Sequence, residues 1–259
     1  MCTGDDVADD DVVIVGWGPI TVVAIHGIQG TRGAWVPLAQ QLADRCTFIL
    51  PNLPGRGRAK VPASEDDCTL DAYARELGRT ITRHVDGPFV LAGWSMGVSV
   101  ALTYLAQART TVAWPSPTEL LLVSGTAHLG AVAWFPPSSP DALLEAIAAR
   151  EQRLGLREAA DHRAVAWTWN VIRRTDQRGE LAHITTPARV IHGSADAECP
   201  LTHGAMLANG ILGAEFHVLQ GAGHSVLTEC TEEIAAYLRR HWLAPAAAHS
   251  TRTYPQETA

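Results

Sequence analysis

Along most of the chain, short apolar runs typical of strands alternate with the apolar spacing typical of helices. Residues 89–92 form an unbroken apolar run that predicts a strand buried on both faces, and residues 98–107 follow with the apolar spacing of a helix. Comparable runs recur on both sides of this pair. Strands that alternate with helices in this way are typical of a mostly parallel sheet with helices packed against it. The pattern therefore predicts an α/β protein.

The same criteria predict the other elements of the core. The predicted strands are residues 12–15, 21–25, 48–50, 119–123, 189–191 and 215–219. The predicted helices are residues 34–43, 70–85, 201–209 and 231–242. We expect flexible tails in the acidic stretch 1–11 and in residues 244–259, which are rich in Ala, Ser, Thr and Pro.

The alternation of strands and helices stops between residues 126 and 184. This stretch has no convincing strand, and it contains helical patterns at residues 141–154 and 158–173. A helical insertion of this length between two strands predicts a lid over the carboxyl edge of the sheet. We therefore expect an α/β core of residues 12–125 and 185–243 with a helical cap of residues 126–184.

Composition and charge narrow the possible classes of function. The chain of 259 residues is 47% hydrophobic and 18% charged, which suits one globular domain with an insertion. A net charge of −7 without any basic block argues against nucleic-acid binding. The five scattered cysteines lack metal-ligand spacing, so we expect no metal site and a reducing cytoplasm. The acidic N-terminal stretch does not resemble a signal peptide, and no apolar run reaches the roughly 18 residues of a membrane span.

A serine lies between the predicted strand 89–92 and the helix behind it, in the sequence Gly93-Trp94-Ser95-Met96-Gly97. A serine raised on such a sharp turn needs strained backbone angles, and the turn closes only if the positions two before and two after it lack a side chain. Gly93 and Gly97 meet this need. The pattern predicts that Ser95 is a nucleophile, and a plain Gly/Ser turn into a helix is the alternative.

A histidine and an aspartate follow later strands. A serine hydroxyl is a poor nucleophile unless a base removes its proton, and the base works best beside a buried carboxylate. His224 lies in a glycine-flanked loop after the last predicted strand, and Asp196 follows the strand before it. Singly, such residues are more often a turn histidine and a helix-capping aspartate. Their order with Ser95 nevertheless predicts a catalytic triad at successive strand ends, with Glu198 as the alternative acid.

Acyl transfer also needs hydrogen-bond donors for an oxyanion. The backbone amide of Met96, directly after the nucleophile, is one candidate. The amide of Ile28 is the other, because it follows His26-Gly27 in the loop that ends the neighbouring predicted strand. We therefore predict an oxyanion hole formed by these two amides.

Together these residues carry a resemblance to a known family. From the His26-Gly27 loop through the Ser95 turn and Asp196 to His224, the chain resembles the α/β-hydrolase superfamily over nearly all of its length between the tails. This resemblance implies a mostly parallel sheet with a helical cap after the sixth strand. It also implies cleavage of an ester, thioester or lactone through an acyl-enzyme on Ser95, without a cofactor or metal. Members that open epoxides or remove halogen carry aspartate at this position, so those activities are not expected.

Shorter motifs indicate subgroups of the superfamily. Residues 53–58 and the Gly-Trp-Ser turn are similar to the carboxylesterases that demethylate pimeloyl-carrier-protein esters in biotin synthesis, and residues 54–56 and 86–89 are similar to type II thioesterases. The first similarity implies an acyl carrier protein as a partner, which arginines of the predicted cap would recruit. Acidic residues of the cap balance these arginines, so a solvated surface is the alternative. The arginines are Arg150, Arg153, Arg157, Arg163, Arg173, Arg174 and Arg178.

Aromatic side chains are the candidates for an apolar substrate pocket, and packing of the cap onto the core is their alternative role. They are Trp94 beside the nucleophile and Trp134, Phe135, Trp167 and Trp169 in the predicted cap. We thus expect a cytoplasmic serine esterase for a small to medium, largely apolar carboxylic ester. A thioesterase, or an acyltransferase or cyclase in which another nucleophile replaces water, would use the same triad. A receptor-like protein with slow turnover is a further alternative, which the intact triad disfavours.

Overall fold

A single sheet lies at the centre of the protein. The computed structural model describes residues 11–132, 134–135, 139–156 and 158–242. Within them, seven strands form the sheet in the order β1-β3-β2-β4-β5-β6-β7. The strands are β1 (Val12–Val15), β2 (Ile20–Ile25), β3 (Cys46–Pro51), β4 (Phe89–Trp94), β5 (Glu119–Val123), β6 (Ala188–Gly193) and β7 (Glu215–Leu219).

Helices occupy most of the connections between these strands. They are α1 (Val36–Gln41), α2 (Leu70–His84), α3 (Met96–Ala108), α4 (Pro140–Leu154), α5 (His162–Ile172), α6 (Arg178–Leu181), α7 (Leu201–Gly210), α8 (Val226–Glu229) and α9 (Thr231–Trp242). Short 3₁₀ helices precede α1, α2 and α4, at Arg32–Ala34, Glu65–Cys68 and Leu129–Ala131. None of the helices in the described residues is long and apolar enough to cross a membrane.

Parallel pairing brings the ends of the strands together at one edge. All neighbouring strands run parallel except β1, which pairs antiparallel with β3. The central strand β4 is buried at every position, which explains its unbroken apolar run. The register places Ile25 beside Gly93 and Val123 beside Ile191, so β2, β4, β5 and β6 end at the same edge. The loops that leave this carboxyl edge are where open α/β sheets bind ligands.

Helices cover both faces of the sheet. In β2, Val23 and Ile25 join one hydrophobic cluster, which includes residues of α2 and α3. Val22 and Ala24 join a second cluster, which includes residues of α1 and α9. Successive side chains of a strand point to opposite faces, so the two clusters are the two sides of the sheet. The predicted α/β fold with a mostly parallel sheet is confirmed.

Two predicted helices begin later than expected. The predicted helix 34–43 is divided into a 3₁₀ turn and the shorter α1. The predicted helix 158–173 begins only at His162, as α5, because Asp161 is its N-cap and accepts a hydrogen bond from the Ala164 amide at 2.9 Å. Elsewhere the predicted and observed bounds differ by at most a few residues.

The chain between β5 and β6 is helical. We call residues 126–184 the helical segment, and its described part contains α4, α5 and α6 but no strand of the sheet. Helix α4 begins at the N-cap Ser139 and ends at Gly155, which has a left-handed φ of 59°. Because β5 ends at the carboxyl edge, the helical segment leaves the sheet where the loops of a ligand site are expected.

Asp11, the last residue of the predicted N-terminal tail, is bound by the loops around it. Residues 1–10 and the predicted tail 244–259 lie outside the described residues, but Asp11 is packed, with its side chain 3% exposed. Its carboxylate accepts hydrogen bonds from Arg32 Nη1 at 2.5 Å and Asn52 Nδ2 at 2.8 Å. The backbone amide of Arg58 donates a third at 2.7 Å. Burial raises the pKa of Asp11, but these hydrogen bonds outweigh it and hold the pKa below its usual 3.8.

We expect Asp11→Ala to lower the free energy of unfolding at neutral pH by about 2 kcal/mol, a typical value for hydrogen bonds to a charged group. The control is Asp44→Ala, since the Asp44 side chain is 55% exposed. Because folding lowers the pKa of Asp11, the stabilisation is present above the unfolded pKa and is lost as the pH falls through the folded pKa. The difference between wild type and Asp11→Ala in urea unfolding should therefore shrink below pH 3.8. A difference independent of pH would contradict the assignment.

Candidate active site

Ser95 lies on the tight turn between β4 and α3. Its backbone angles are φ 57° and ψ −121°, a strained conformation for a residue with a side chain. A Cβ atom on Gly93 would lie 2.4 Å from the carbonyl oxygen of Gly97. A Cβ atom on Gly97 would lie 2.3 Å from the carbonyl oxygen of Ile25. The turn therefore has no room for a side chain at either glycine.

Two hydrogen bonds join Ser95, His224 and Asp196. The Ser95 Oγ lies 2.9 Å from His224 Nε2, and His224 Nδ1 lies 2.8 Å from Asp196 Oδ2. A carboxylate only accepts, so Nδ1–H donates to Asp196 and the serine hydroxyl donates to Nε2. The side chains come from the ends of β4, β7 and β6, and the three residues are 2%, 6% and 4% exposed. The structure thus brings together the three residues of the predicted triad.

The surroundings of Asp196 favour its ionised form. Its Oδ1 accepts hydrogen bonds from the backbone amides of Glu198 at 2.9 Å and Cys199 at 2.8 Å. Burial raises the pKa of Asp196, but the hydrogen bond from His224 Nδ1–H, together with the Cys199 amide, outweighs burial and lowers the pKa. An ionised carboxylate is what a base needs to keep Nδ1 protonated and Nε2 free to accept.

A second buried histidine supports the loop that carries Asp196. His192 Nε2 donates a hydrogen bond to the Cys199 carbonyl oxygen at 2.7 Å and lies 3.5 Å from Asp196 Oδ2. Burial lowers the pKa of His192, which favours its neutral form. In this position His192 is a structural residue.

Glu198, the alternative acid, makes its contacts with the helical segment. Its Oε2 accepts hydrogen bonds from Arg150 Nε at 3.1 Å and Arg150 Nη2 at 3.0 Å, and its Oε1 accepts one from Arg153 Nη1 at 3.1 Å. In the described part of the chain it is Asp196, and not Glu198, that contacts His224.

The two residues predicted to form the oxyanion hole border the Ser95 turn. Met96 is the first residue of α3, so its amide has no partner within the helix. The loop with Ile28 continues from β2, and a Cβ on Gly27 would lie only 3.1 Å from the Ser95 Cβ. Neither amide donates a hydrogen bond to another described group of the protein. Both are therefore available to stabilise negative charge.

His26 fixes the backbone of the Ile28 loop, a role that the sequence analysis did not assign. Its Nδ1–H donates to the Gly27 carbonyl oxygen at 2.8 Å, and its Nε2 accepts from the Leu53 amide at 3.0 Å. This pair of bonds requires a neutral ring. Burial, with a contribution from the charge of Arg56, lowers the pKa of His26 to about 3. His26 is therefore a neutral positioning residue and not a general base.

Arg56 is a second residue of this loop system that the sequence analysis missed. It is 1% exposed. Its guanidinium donates to the carbonyl oxygen of Ile28 at 2.6 Å, that of Pro54 at 2.7 Å and the hydroxyl of Tyr73 at 2.6 Å. The only signal in the sequence was the rigid Pro-Gly-Arg-Gly loop. An arginine is rarely buried to this extent, and two of its partners, Ile28 and Tyr73, come from other elements of the chain.

Trp94 lies apart from the other candidates for the pocket. Its Nε1 donates to the carbonyl oxygen of His224 at 3.1 Å, and the two rings are 5.4 Å apart. It belongs to the hydrophobic cluster that includes residues of α1 and α9. In this position Trp94 supports the loop of His224.

Three aromatic residues of the helical segment pack together and belong to the other hydrophobic cluster. The Trp169 ring lies 5.7 Å from the rings of both Trp134 and Phe135, and all three belong to the cluster that includes residues of α2 and α3. Trp167 is not in this group and is partly buried, with the Arg163 guanidinium 5.2 Å from its ring centre. The structure therefore groups Trp134, Phe135 and Trp169, with Trp167 packed against the same cluster, and places Trp94 in the other cluster.

Comparison with known proteins identifies a family and several relatives. A model of the alpha/beta hydrolase family matches residues 22–237. A pimeloyl-[acyl-carrier protein] methyl ester esterase from Stenotrophomonas maltophilia is 28% identical over 89% of this chain and 95% of that protein. The enzyme of the same name from Nitrosomonas europaea is 23% identical over 85% and 94%. These matches confirm the resemblance predicted from the short motifs.

A solved structure gives the same fold. The esterase from Exiguobacterium antarcticum superimposes with a TM-score of 0.75 and covers 90% of this chain and 95% of its own, at 20% identity. At this identity the likeness establishes the arrangement of strands and helices, and it leaves the activity to be argued from the residues of the site.

We expect Gly97→Ala to lower the free energy of unfolding by about 1–3 kcal/mol, the usual cost of overpacking, because the new methyl group would overlap the Ile25 carbonyl. Gly87→Ala is the control, since a Cβ at Gly87 meets nothing within 4 Å. It should change stability by no more than about 0.5 kcal/mol. Urea denaturation measures both variants. Equal stabilities would show that the turn relaxes without cost.

Proposed function

The chain belongs to the alpha/beta hydrolase family, and we propose that it is a serine hydrolase that cleaves a carboxylic ester through an acyl-enzyme on Ser95. The observation that carries this proposal is the hydrogen-bonded series Ser95–His224–Asp196 on the strained turn after β4. This arrangement supports nucleophilic catalysis because the base contacts both the nucleophile and a carboxylate.

In the first half of the proposed reaction, His224 Nε2 takes the hydroxyl proton as Ser95 Oγ bonds to the carbonyl carbon of the ester. The carbonyl oxygen becomes an oxyanion, which the amides of Ile28 and Met96 stabilise. When the tetrahedral species collapses, the bond from carbon to the alcohol oxygen breaks. The alcohol leaves with the proton from His224, and the acyl group stays on Ser95.

The second half repeats these steps with water. His224 removes a proton from a water molecule, whose oxygen attacks the acyl carbon and displaces Ser95 Oγ. The proton then returns to Ser95, and the carboxylic acid is released. Asp196 stays ionised throughout, holds the ring of His224 in one tautomer and stabilises its cationic form.

We propose the helical segment, residues 126–184, as a cap over this site. Ser95 is only 2% exposed, which supports an element that covers it. The apolar group of Trp134, Phe135 and Trp169 supports a small to medium, largely apolar acyl or alcohol part.

The methyl ester of a pimeloyl carrier protein is a narrower proposal for the substrate. Its support is the activity for which the relatives are named, and they match most of the chain. Two of the arginines of the helical segment add little to it. Arg150 is 5% exposed and bound to Glu198, and Arg178 pairs with Asp176. The proposed carrier-protein partner therefore rests on the relatives.

We expect a fluorophosphonate to add once to the wild-type protein at Ser95, as seen by intact-protein mass spectrometry. Unlabelled protein from the same preparation should hydrolyse p-nitrophenyl esters, and the acyl chain length that it prefers indicates the size of the pocket. Ser95→Ala should take no label and should lose about 10⁴-fold or more in kcat. Labelling without turnover would indicate an acyltransferase, a cyclase or a receptor-like protein. If the kcat of Ser95→Ala is within about tenfold of the wild-type kcat, Ser95 is not the nucleophile.

Asp196→Asn should lower kcat about 10⁴-fold, because an amide at this position favours the wrong tautomer of His224. Glu198→Gln should cost much less, since Glu198 makes no described contact with His224. Steady-state kinetics with one p-nitrophenyl ester compares the two variants. A larger loss for Glu198→Gln than for Asp196→Asn would show that the acid is misassigned.

A further inference from the structure

Three polar side chains connect the helical segment to both loops of the candidate site. Gln29 follows Ile28 in the loop after β2, Arg150 lies in α4, and Glu198 lies in the loop after β6. Gln29 is 1% and Arg150 5% exposed, and the Glu198 side chain is 12% exposed. We call these residues the Gln29–Arg150–Glu198 network.

The guanidinium of Arg150 contacts both loops at once. Its Nη1 donates to Gln29 Oε1 at 2.9 Å, and its Nε and Nη2 donate to Glu198 Oε2 at 3.1 Å and 3.0 Å. The Gln29 Nε2 donates to the Ile147 carbonyl oxygen of α4 at 2.7 Å. Both polar atoms of the Gln29 side chain are therefore bound to α4.

Backbone groups of the same residues extend these connections. The Gln29 carbonyl oxygen accepts a hydrogen bond from the Ala160 amide at 3.1 Å. The Glu198 amide donates to Asp196 Oδ1 at 2.9 Å, and the Glu198 carbonyl oxygen accepts from Trp134 Nε1 at 3.2 Å. A shift of α4 would therefore move the residue next to the proposed oxyanion amide and the residue that holds the proposed acid.

The chemistry of arginine suits this position. Its planar guanidinium holds several acceptors in a fixed geometry, which a lysine ammonium cannot reproduce. Removal of Arg150 would leave the side-chain oxygen of Gln29 and one carboxylate oxygen of Glu198 buried without the groups that donate to them. A network with all partners present is rigid, and one with a missing member loosens.

We propose that Arg150 is a positioning residue of the active site. It holds the loop of Ile28 and the loop of Asp196 at a fixed distance when the helical segment covers Ser95. The oxyanion hole and the acid are then correctly placed only in the covered state. This inference rests on the proposed function, because it assigns Arg150 to the same reaction.

Arg150→Met should lower kcat for a p-nitrophenyl ester about 100-fold, since a misplacement of about 1 Å can cost that much. The KM should change by less than about threefold, because the lost interaction acts on the transition state. Arg150→Lys keeps the charge without the fork and should give an intermediate kcat. The rate of fluorophosphonate labelling should fall in the same order.

The control is Arg109→Met. Arg109 also connects the core to the helical segment, through an exposed ion pair with Glu180 that lies outside the site loops. Arg109→Met should change kcat by less than about twofold, because exposed ion pairs contribute little to stability. Thermal unfolding of each variant sets an assay temperature at which all are folded. If Arg150→Met does not fold, Arg150→Lys and Gln29→Met carry the test.

A double variant tests whether the network acts as a unit. If it does, Gln29→Met should lower kcat by a smaller factor in the Arg150→Met background than in the wild type. Two results would overturn the positioning role, provided that the wild type is labelled. One is that the fold losses in kcat of the two single variants multiply in the double variant. The other is that Arg150→Met folds and has the same kcat as Arg109→Met. If wild type is neither labelled nor active, the proposed function itself fails.

Discussion

The backbone conformation of Ser95 is the constraint on which the rest of the structure depends. A residue with a side chain holds φ 57° and ψ −121° only when its surroundings leave no alternative. Here β4 lies between two parallel neighbours and is buried at every position, so the turn begins from a fixed strand. Gly93 and Gly97 then let the chain pass within contact distance of itself and of β2. The strain is placed at Ser95, the residue that we propose as the nucleophile.

The loops around this turn have little regular structure, so buried side chains satisfy their backbone groups. His26 binds Gly27 and Leu53, and Arg56 binds the Ile28 carbonyl oxygen. Buried backbone groups need such partners, because an unpaired one costs about as much as a lost hydrogen bond. These contacts explain why so many polar residues are buried near the carboxyl edge. They also fix the loops before any substrate arrives, which is what stabilisation of a developing charge requires.

Much of the fold could be predicted because its signals are local. The predicted strands at 12–15, 119–123 and 215–219 coincide with β1, β5 and β7. In β5, which is buried at four of its five positions, the apolar run covers those four positions. The start of α5 was missed because an N-cap is a single side-chain contact, made here by Asp161. Asp11 was placed in a flexible tail because its charge resembles that of its neighbours, while its partners Arg32 and Asn52 are distant in the chain.

The sequence by itself determined the α/β class, the glycine-flanked turn of Ser95 and the order of Ser95, Asp196 and His224. Each of these depends on residue type and spacing, which are properties of the chain alone. Only the tertiary structure decided that Asp196 rather than Glu198 contacts His224, and that Glu198 joins Arg150 instead. It also decided that Arg56 and Arg150 are buried. Charged residues are exposed unless partners compensate for lost water, and these partners lie on elements that only folding brings together.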